Sequence, residues 1–250
     1  MYLHGRNVLK EVLALPRASI KTIKIRRVLF TDQQNVDPEL KTLMHQTKSK
    51  GLRVETASQR VLINLSREKK NQGVLVELRE FPYAELNLIS NLPSDRPSIV
   101  VMLDSVQDPH NLGAIARTSV AAGADALVIT SRASAQVTPA VVKVSSGLIF
   151  RIPVIRVVNL VRAMETLKDW GYWIYGSSTQ GEHYIRVPYA ERSALVMGNE
   201  SEGLRRLVRE KCDALLTIPM ADGVDSINVS AATAVLLFNL REKLTGDDRP

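Results

Sequence analysis

The 250-residue sequence predicts an α/β protein in two parts: a small N-terminal α/β domain and a larger C-terminal domain built on a parallel sheet. Three observations carry this. Short apolar runs alternate with amphipathic stretches along the whole chain, the signature of strands and helices in succession. From Ser98 onward the apolar runs become continuous rather than alternating, as in residues 99–103, which is the pattern of strands buried on both faces of a parallel sheet. Charge is also divided unevenly. Residues 1–80 hold 16 Lys and Arg against 8 Asp and Glu, whereas residues 81–250 hold 17 against 18. A basic first part beside a neutral body predicts a polyanion-binding unit attached to a unit with another task.

Residues 5–15 read as a helix with Val8, Leu9, Val12 and Leu13 on one face. Ile23, Ile25 and residues 28–30 read as a strand. Asp37-Pro38 opens a helix, with Pro in the first turn, and Gly51 closes it. A strand over 52–56, a short helix over 59–65 and a strand over 73–78 complete the first domain, residues 1–79. Lys21, Lys24, Arg26 and Arg27, and then Arg67, Lys69 and Lys70, flank its strands. Few aromatics accompany them, so phosphate and shape contacts are expected rather than base readout. Residues 80–97 are punctuated by Pro82, Pro93 and Pro97 and read as a linker.

The second domain, residues 98–250, begins with the strand at 99–103, a loop at 105–110, and a helix headed by Asn111 and closed by Gly123. A strand at 126–129, a helix over 138–149, a strand at 154–157 and a helix over 160–170 follow. Strands at 173–175 and 194–197 come next, then a loop and helix over 198–212. The last pair is an apolar run at 214–220 and a long apolar helix starting near Val229 or Ser230. The loop between them is polar: Ser226, Asn228 and Ser230 stand between two buried segments and need partners, and a helix cap supplies one.

Composition excludes several classes. The lone Cys212 rules out an internal disulfide and fits a reducing compartment. His4, Arg6 and Lys10 interrupt what a signal sequence would need, and no stretch approaches the ~20 apolar residues of a membrane span, so a cytoplasmic protein is expected. There is no phosphate-binding G-x-x-x-x-G-K-[ST] and no G-x-G-x-x-G. The four His are scattered and no His/Cys group has zinc spacing, so no metal is expected.

Three loops stand at the carboxyl ends of apolar strands, where open α/β sheets bind ligands. They are DSVQDPHNLGAIART from Asp104 to Thr118, GNESEG from Gly198 to Gly203, and the segment from Ile218-Pro-Met220 to Ser226-Ile-Asn-Val-Ser230. In residue type, order and separation these loops resemble the three motifs of the SpoU family of RNA ribose methyltransferases, within the SPOUT superfamily. The N-terminal stretch beginning Tyr2-Leu-His-Gly-Arg is similar to that family's ribosomal-protein-like substrate-binding domain, so the resemblance covers nearly the whole chain. It is greatest to members that methylate the 2′-hydroxyl of a guanosine in 23S rRNA. Two other readings stay open: a tRNA ribose methyltransferase, and a catalytically silent RNA-binding protein. Val144-Ser-Ser-Gly-Leu-Ile-Phe150 departs from the pattern, being bulkier than its counterparts.

The resemblance implies a C-terminal α/β knot, in which the last stretch threads a loop to form a deep trefoil knot. It implies S-adenosylmethionine as cofactor, held by Gly198, Asn199, Ile218, Met220 and Ile227, largely through backbone. It implies a homodimer with the active site shared between copies, and the apolar helix over 230–240 is wide enough to face both sheet and partner. Arg117, Asn111, Glu200 and Asn228 are the implied catalytic residues. Arg117 would activate the hydroxyl. Because a guanidinium holds its proton tightly, the alternative role is to clamp the adjacent phosphate, with phosphate or water receiving the proton. Asn111 and Asn228 would orient the ribose and Arg117, and Glu200 would hold the second loop.

Overall fold

The computed structural model describes residues 1–32, 37–199 and 201–246. The chain forms two compact units. One comprises Met1–Pro82 together with Val137–Arg151; the other comprises Tyr83–Gln136 and the described residues from Ile152 onward.

In the first unit the chain runs β1 (Tyr2–His4), α1 (Arg6–Ala14), α2 (Arg17–Thr22), β2 (Ile25–Thr31), α3 (Pro38–Ser49), β3 (Val54–Ala57), α4 (Gln59–Ser66) and β4 (Val74–Leu78). Among the described residues the sheet has four strands in the order β1-β4-β2-β3, with β2 and β3 parallel and the other pairs antiparallel. α1 buries Val8, Leu9, Val12 and Leu13. α3 starts where Asp37 accepts a hydrogen bond from the Leu40 N–H, with Pro38 in the first turn. Two elements were not visible in sequence. β1 is too short to show a period. α2 restarts a helix after Pro16, at a point where the apolar face of α1 has already ended.

The second unit opens with an ordered segment. Residues 83–97, read in sequence as linker, pair Ala84 with Ile155 and bury Ile89 in a 3-10 turn, Leu86–Asn91. The prolines there mark a tight path over the core rather than a tether. Then follow β5 (Ser98–Leu103), α5 (Pro109–Ala121) and β6 (Ala126–Thr130). α5 begins two residues before Asn111, capped by the Asp108 side chain on the His110 N–H. α6 (Pro139–Val144) and a 3-10 turn, Leu148–Arg151, belong to the first unit, and the expected continuous helix over 138–149 is thereby divided. Gly147 divides it: its φ is +85°, and a Cβ there would lie 3.0 Å from the Cα of Val8. The bulky residues of this segment serve that contact. Ile149 is fully buried, and Phe150 packs on Phe81 with ring centroids 5.6 Å apart.

The chain resumes in the second unit with β7 (Val154–Val157), α7 (Leu160–Asp169), β8 (Trp173–His183), β9 (Arg192–Met197), α8 (Arg206–Glu210), β10 (Ala214–Thr217) and α9 (Val229–Thr245). Among the described residues its sheet has six strands, all parallel, in the order β10-β8-β9-β5-β6-β7. β5 is central, and Val100, Val101 and Met102 have no exposed surface, which explains the unbroken apolar run. From β5 the chain first builds outward through β6 and β7, then crosses to the other side for β8, β9 and β10. The carboxyl ends of β5 and β9 therefore mark the point where strand order reverses, the usual ligand-binding crevice of such sheets. β8 is much longer than the 173–175 expected. Its second half is polar and pairs with β10 mainly through backbone, leaving no apolar signal. β10 is shorter than expected, ending before Ile218-Pro219.

Candidate active site

The three loops converge at one end of the second unit's sheet. A cavity of about 630 Å³ opens there, in the size range of small-molecule sites. Gly198, Asn199, Ile218, Met220 and Ile227 all line it. β8 contributes more: between Gly176, opposite Leu215, and Glu182, opposite Leu216, it carries the extra residues 177–181, of which Ser177, Ser178 and Thr179 line the cavity. These hydroxyls were not singled out in sequence, because nothing in a Ser-Ser-Thr run separates a lining segment from an ordinary turn.

The second loop is a tight hairpin built on its own backbone. Asn199 and Gly203 exchange N–H···O bonds of 3.0 and 2.9 Å. The Asn199 Oδ1 accepts from the Ser201 and Glu202 N–H groups at 2.9 and 3.3 Å, and its Nδ2 donates to the Ser105 carbonyl at 2.9 Å. A Cβ on Gly198 would fall 2.3 Å from the Gly203 carbonyl carbon. Glycine is thus required by the chain itself as it folds back, a stronger constraint than approach to a ligand. Glu200 lies outside the described residues.

Two further polar braces join the first loop to the others. Asp104, fully buried at the end of β5, accepts from the Arg205 N–H at 2.9 Å and from its Nε at 2.7 Å, with Nη2 2.6 Å away. Asn111, buried on α5, accepts from Asn228 Nδ2 at 3.0 Å. Asn228 also caps α9, its Oδ1 accepting from the N–H and Oγ of Ser230 at 2.9 and 2.6 Å. The cap reading of Asn228 and its place in a polar cluster are both realised, since an amide has enough donors and acceptors for both. Neither Asn111 nor Asn228 lines the cavity, and nor does Arg117. Arg117 is exposed on α5, about 9 Å further along the helix axis than Asn111. The structure therefore gathers the five cavity residues into one place and joins the two asparagines beside it, with Arg117 further along α5.

Electrostatics near the site are mild. Burial, then the Asp213 carboxylate, pushes the Cys212 thiol up to about 12, so it stays protonated at neutral pH. Burial also raises the Tyr175 phenol, which donates to the Pro188 carbonyl at 3.1 Å and accepts from the Ala190 N–H at 2.9 Å. Among the described residues no three His, Cys, Asp or Glu side chains converge as a metal site.

Residues 98–238 match the family model of the SpoU rRNA methylases. The chain belongs to the SpoU rRNA methylase family. Residues 2–84 match a second model, the RNA 2′-O ribose methyltransferase substrate-binding domain. All three loops of this SpoU chain fall within the first match. It is 40% identical over 207 residues to the 23S rRNA (guanosine-2′-O-)-methyltransferase RlmB of Escherichia coli K12, covering 81% of this chain and 84% of that one. It is 36% identical over 230 residues to an uncharacterized tRNA/rRNA methyltransferase of Synechocystis, covering 91% of this chain but 60% of that longer one. The fold matches the crystal structure of the SpoU methyltransferase AviRb from Streptomyces viridochromogenes, in complex with AdoMet, with a TM-score of 0.80 at 21% identity, over 97% of this chain and 90% of that one. Among the described residues of this SpoU protein, no helix is long and apolar enough to cross a membrane.

Proposed function

We propose that this protein transfers a methyl group from S-adenosylmethionine to the ribose 2′-hydroxyl of a guanosine in 23S rRNA, in the cytoplasm. The observation that carries the reading is a cavity lined by the second and third strand-end loops, with the first loop hydrogen-bonded to both, in a chain 40% identical to a 23S rRNA guanosine-2′-O-methyltransferase. The cavity's make-up fits the donor. Gly198 leaves backbone bare on one wall, the irregular segment after β10 offers main-chain donors and acceptors for an adenine edge, and Ile218, Met220 and Ile227 supply apolar surface. In this reading the C-terminal stretch threads a loop to form a deep trefoil knot, as membership of the SpoU family implies.

The donor supplies an already activated methyl on a sulfonium centre. What remains for the chain is to align the hydroxyl in line with that methyl and to remove its proton. The carbon–oxygen bond forms as the carbon–sulfur bond breaks, and the hydroxyl proton leaves to phosphate or water. Arg117 holds the phosphate next to the reacting ribose, and its charge favours the developing alkoxide. Asn111 and Asn228, fixed by their mutual bond, orient the ribose, and Glu200 holds the second loop.

Arg117 stands off the cavity of its own chain, which supports a homodimer in which one copy's Arg117 serves its partner's cofactor. Phe238 on α9 and the nearby Ile185 are 43% and 49% exposed, an apolar face suited to such a partner. In this reading the basic first unit grips RNA and the second carries out transfer. The test is transfer of tritiated methyl to separated 23S rRNA and tRNA. Label in 23S rRNA alone supports the reading; label in tRNA alone replaces it with the tRNA alternative; label in neither leaves a silent RNA-binding protein.

A further inference from the structure

The proposed mechanism makes no use of Asp104, yet it is the charged side chain at the centre of the site's framework, with no exposed surface. A carboxylate taken out of water is costly, and a buried ion pair is often no more stable than an apolar replacement. Its presence here therefore needs a reason other than stability. The pair's position gives one. Asp104 ends the central strand β5, whereas Arg205 closes the hairpin loop that begins at Gly198. Both oxygens are engaged: Oδ1 by the guanidinium at 2.7 and 2.6 Å, Oδ2 by the Arg205 N–H at 2.9 Å. A second strut runs parallel to it, from Asn199 Nδ2 to the carbonyl of Ser105, a residue held at φ +62°. Of the hairpin, Gly198, Asn199, Ser201, Glu202, Gly203 and Leu204 line the cavity, while Asp104, Ser105 and Arg205 do not.

From this we infer that Asp104 and Arg205 are positioning residues for the cofactor: a buried clamp that keeps the 198–205 hairpin in its binding shape before S-adenosylmethionine arrives. The inference rests on the cavity being the S-adenosylmethionine site. A hairpin released from the clamp samples other shapes, and apparent affinity falls by the fraction of time the competent one is lost. Because Asp104 and Arg205 shape the cavity without lining it, their loss is expected to act on cofactor binding rather than on the chemical step.

The test uses the full-length chain and the variants Arg205→Leu, Arg205→Lys, Asp104→Asn and Asp104→Asn/Arg205→Leu, read by calorimetry with S-adenosylmethionine, by steady-state methyl transfer and by thermal unfolding. Arg205→Leu is expected to raise both Kd and KM for S-adenosylmethionine at least about tenfold, with kcat at saturation within about threefold and KM for RNA unchanged. Arg205→Lys is expected to fall between, since an ammonium keeps the charge but not the fork of donors. The double variant is expected to bind no more weakly than the worse single one, because both changes break one interaction. Arg205→Leu has a half-exposed side chain to lose, so it keeps the test available if Asp104→Asn does not fold. A lowered unfolding temperature with unchanged cofactor affinity would make the pair merely structural and overturn the inference, as would losses that multiply in the double variant. Wild-type protein that binds no S-adenosylmethionine would instead overturn the proposed function, and the inference with it.

Discussion

Arg117 offers a fork of N–H donors and no acceptor, so its proposed contribution is to position the substrate and stabilise developing charge. It is exposed on α5 and does not line the cavity, which leaves cofactor binding little reason to depend on it. Arg117→Ala is expected to lower kcat by at least about 10²-fold, the scale of losing one preorganised donor at a developing charge. Its S-adenosylmethionine affinity and unfolding midpoint are expected to match wild type, by calorimetry and thermal scan; near-normal turnover would remove Arg117 from the mechanism. Gly198 behaves in the opposite way. A Cβ there meets the Gly203 backbone at 2.3 Å, so even Gly198→Ala forces the hairpin open. We expect a stability cost of about 1–3 kcal/mol from overpacking, with S-adenosylmethionine binding lost. Unchanged affinity in a calorimeter would take Gly198 out of the site. Sequence singled out Gly198 for closeness to a ligand, but the chain's own turn is what excludes a side chain. Asp104 and Arg205 gave no comparable signal: an acid ending a strand and an arginine before a short helix look like surface residues until the fold brings them within 2.7 Å.

At the level of elements, legibility followed burial. The central strands β5, β6 and β9 were plain, because burial on both faces produces continuous apolar runs. The second half of β8 was hidden, because its pairing with β10 uses main chain while its side chains are polar. α9 was visible, and it carries more apolar surface than the core covers. It buries Val229, Thr233, Leu236, Leu237 and Leu240 and leaves Phe238 substantially exposed. If that surplus faces a second copy, Phe238→Glu is expected to yield a monomer in sedimentation equilibrium. It is also expected to lose most methyl transfer, since Arg117 would no longer reach a neighbouring site. A monomeric variant with full activity would show that one chain suffices.

For the whole molecule, the division of labour is finer than a cut in the sequence. Residues 137–151 lie within the stretch read as the catalytic domain, yet they pack with the first unit, where Lys143 pairs with Glu68 at 3.3 Å and Arg151 with Glu11 at 2.5 Å. Removing residues 1–80 would strip Ile149 and its neighbours of their partners, so truncation does not test the first unit's role cleanly. Charge reversal does. Part of the basic excess is internally neutralised, Arg27 pairing with both Glu55 and Glu77, but Arg67, Lys69 and Lys70 are exposed. Lys69→Glu/Lys70→Glu is expected to weaken RNA binding and to flatten its dependence on salt by about 0.7 per lost contact on single-stranded RNA. Unchanged affinity and slope would place the RNA contacts elsewhere.

The central claim, transfer to a guanosine 2′-hydroxyl, is tested most directly by the chemistry of the product. A methylated 2′-oxygen cannot assist cleavage of the adjoining phosphodiester, so alkali spares that linkage alone. 23S rRNA labelled from tritiated S-adenosylmethionine and digested in alkali is expected to release its label in one alkali-stable dinucleotide, with 2′-O-methylguanosine on the 5′ side. Label released in mononucleotides, which signifies base methylation, or in a dinucleotide carrying another nucleoside would contradict the account.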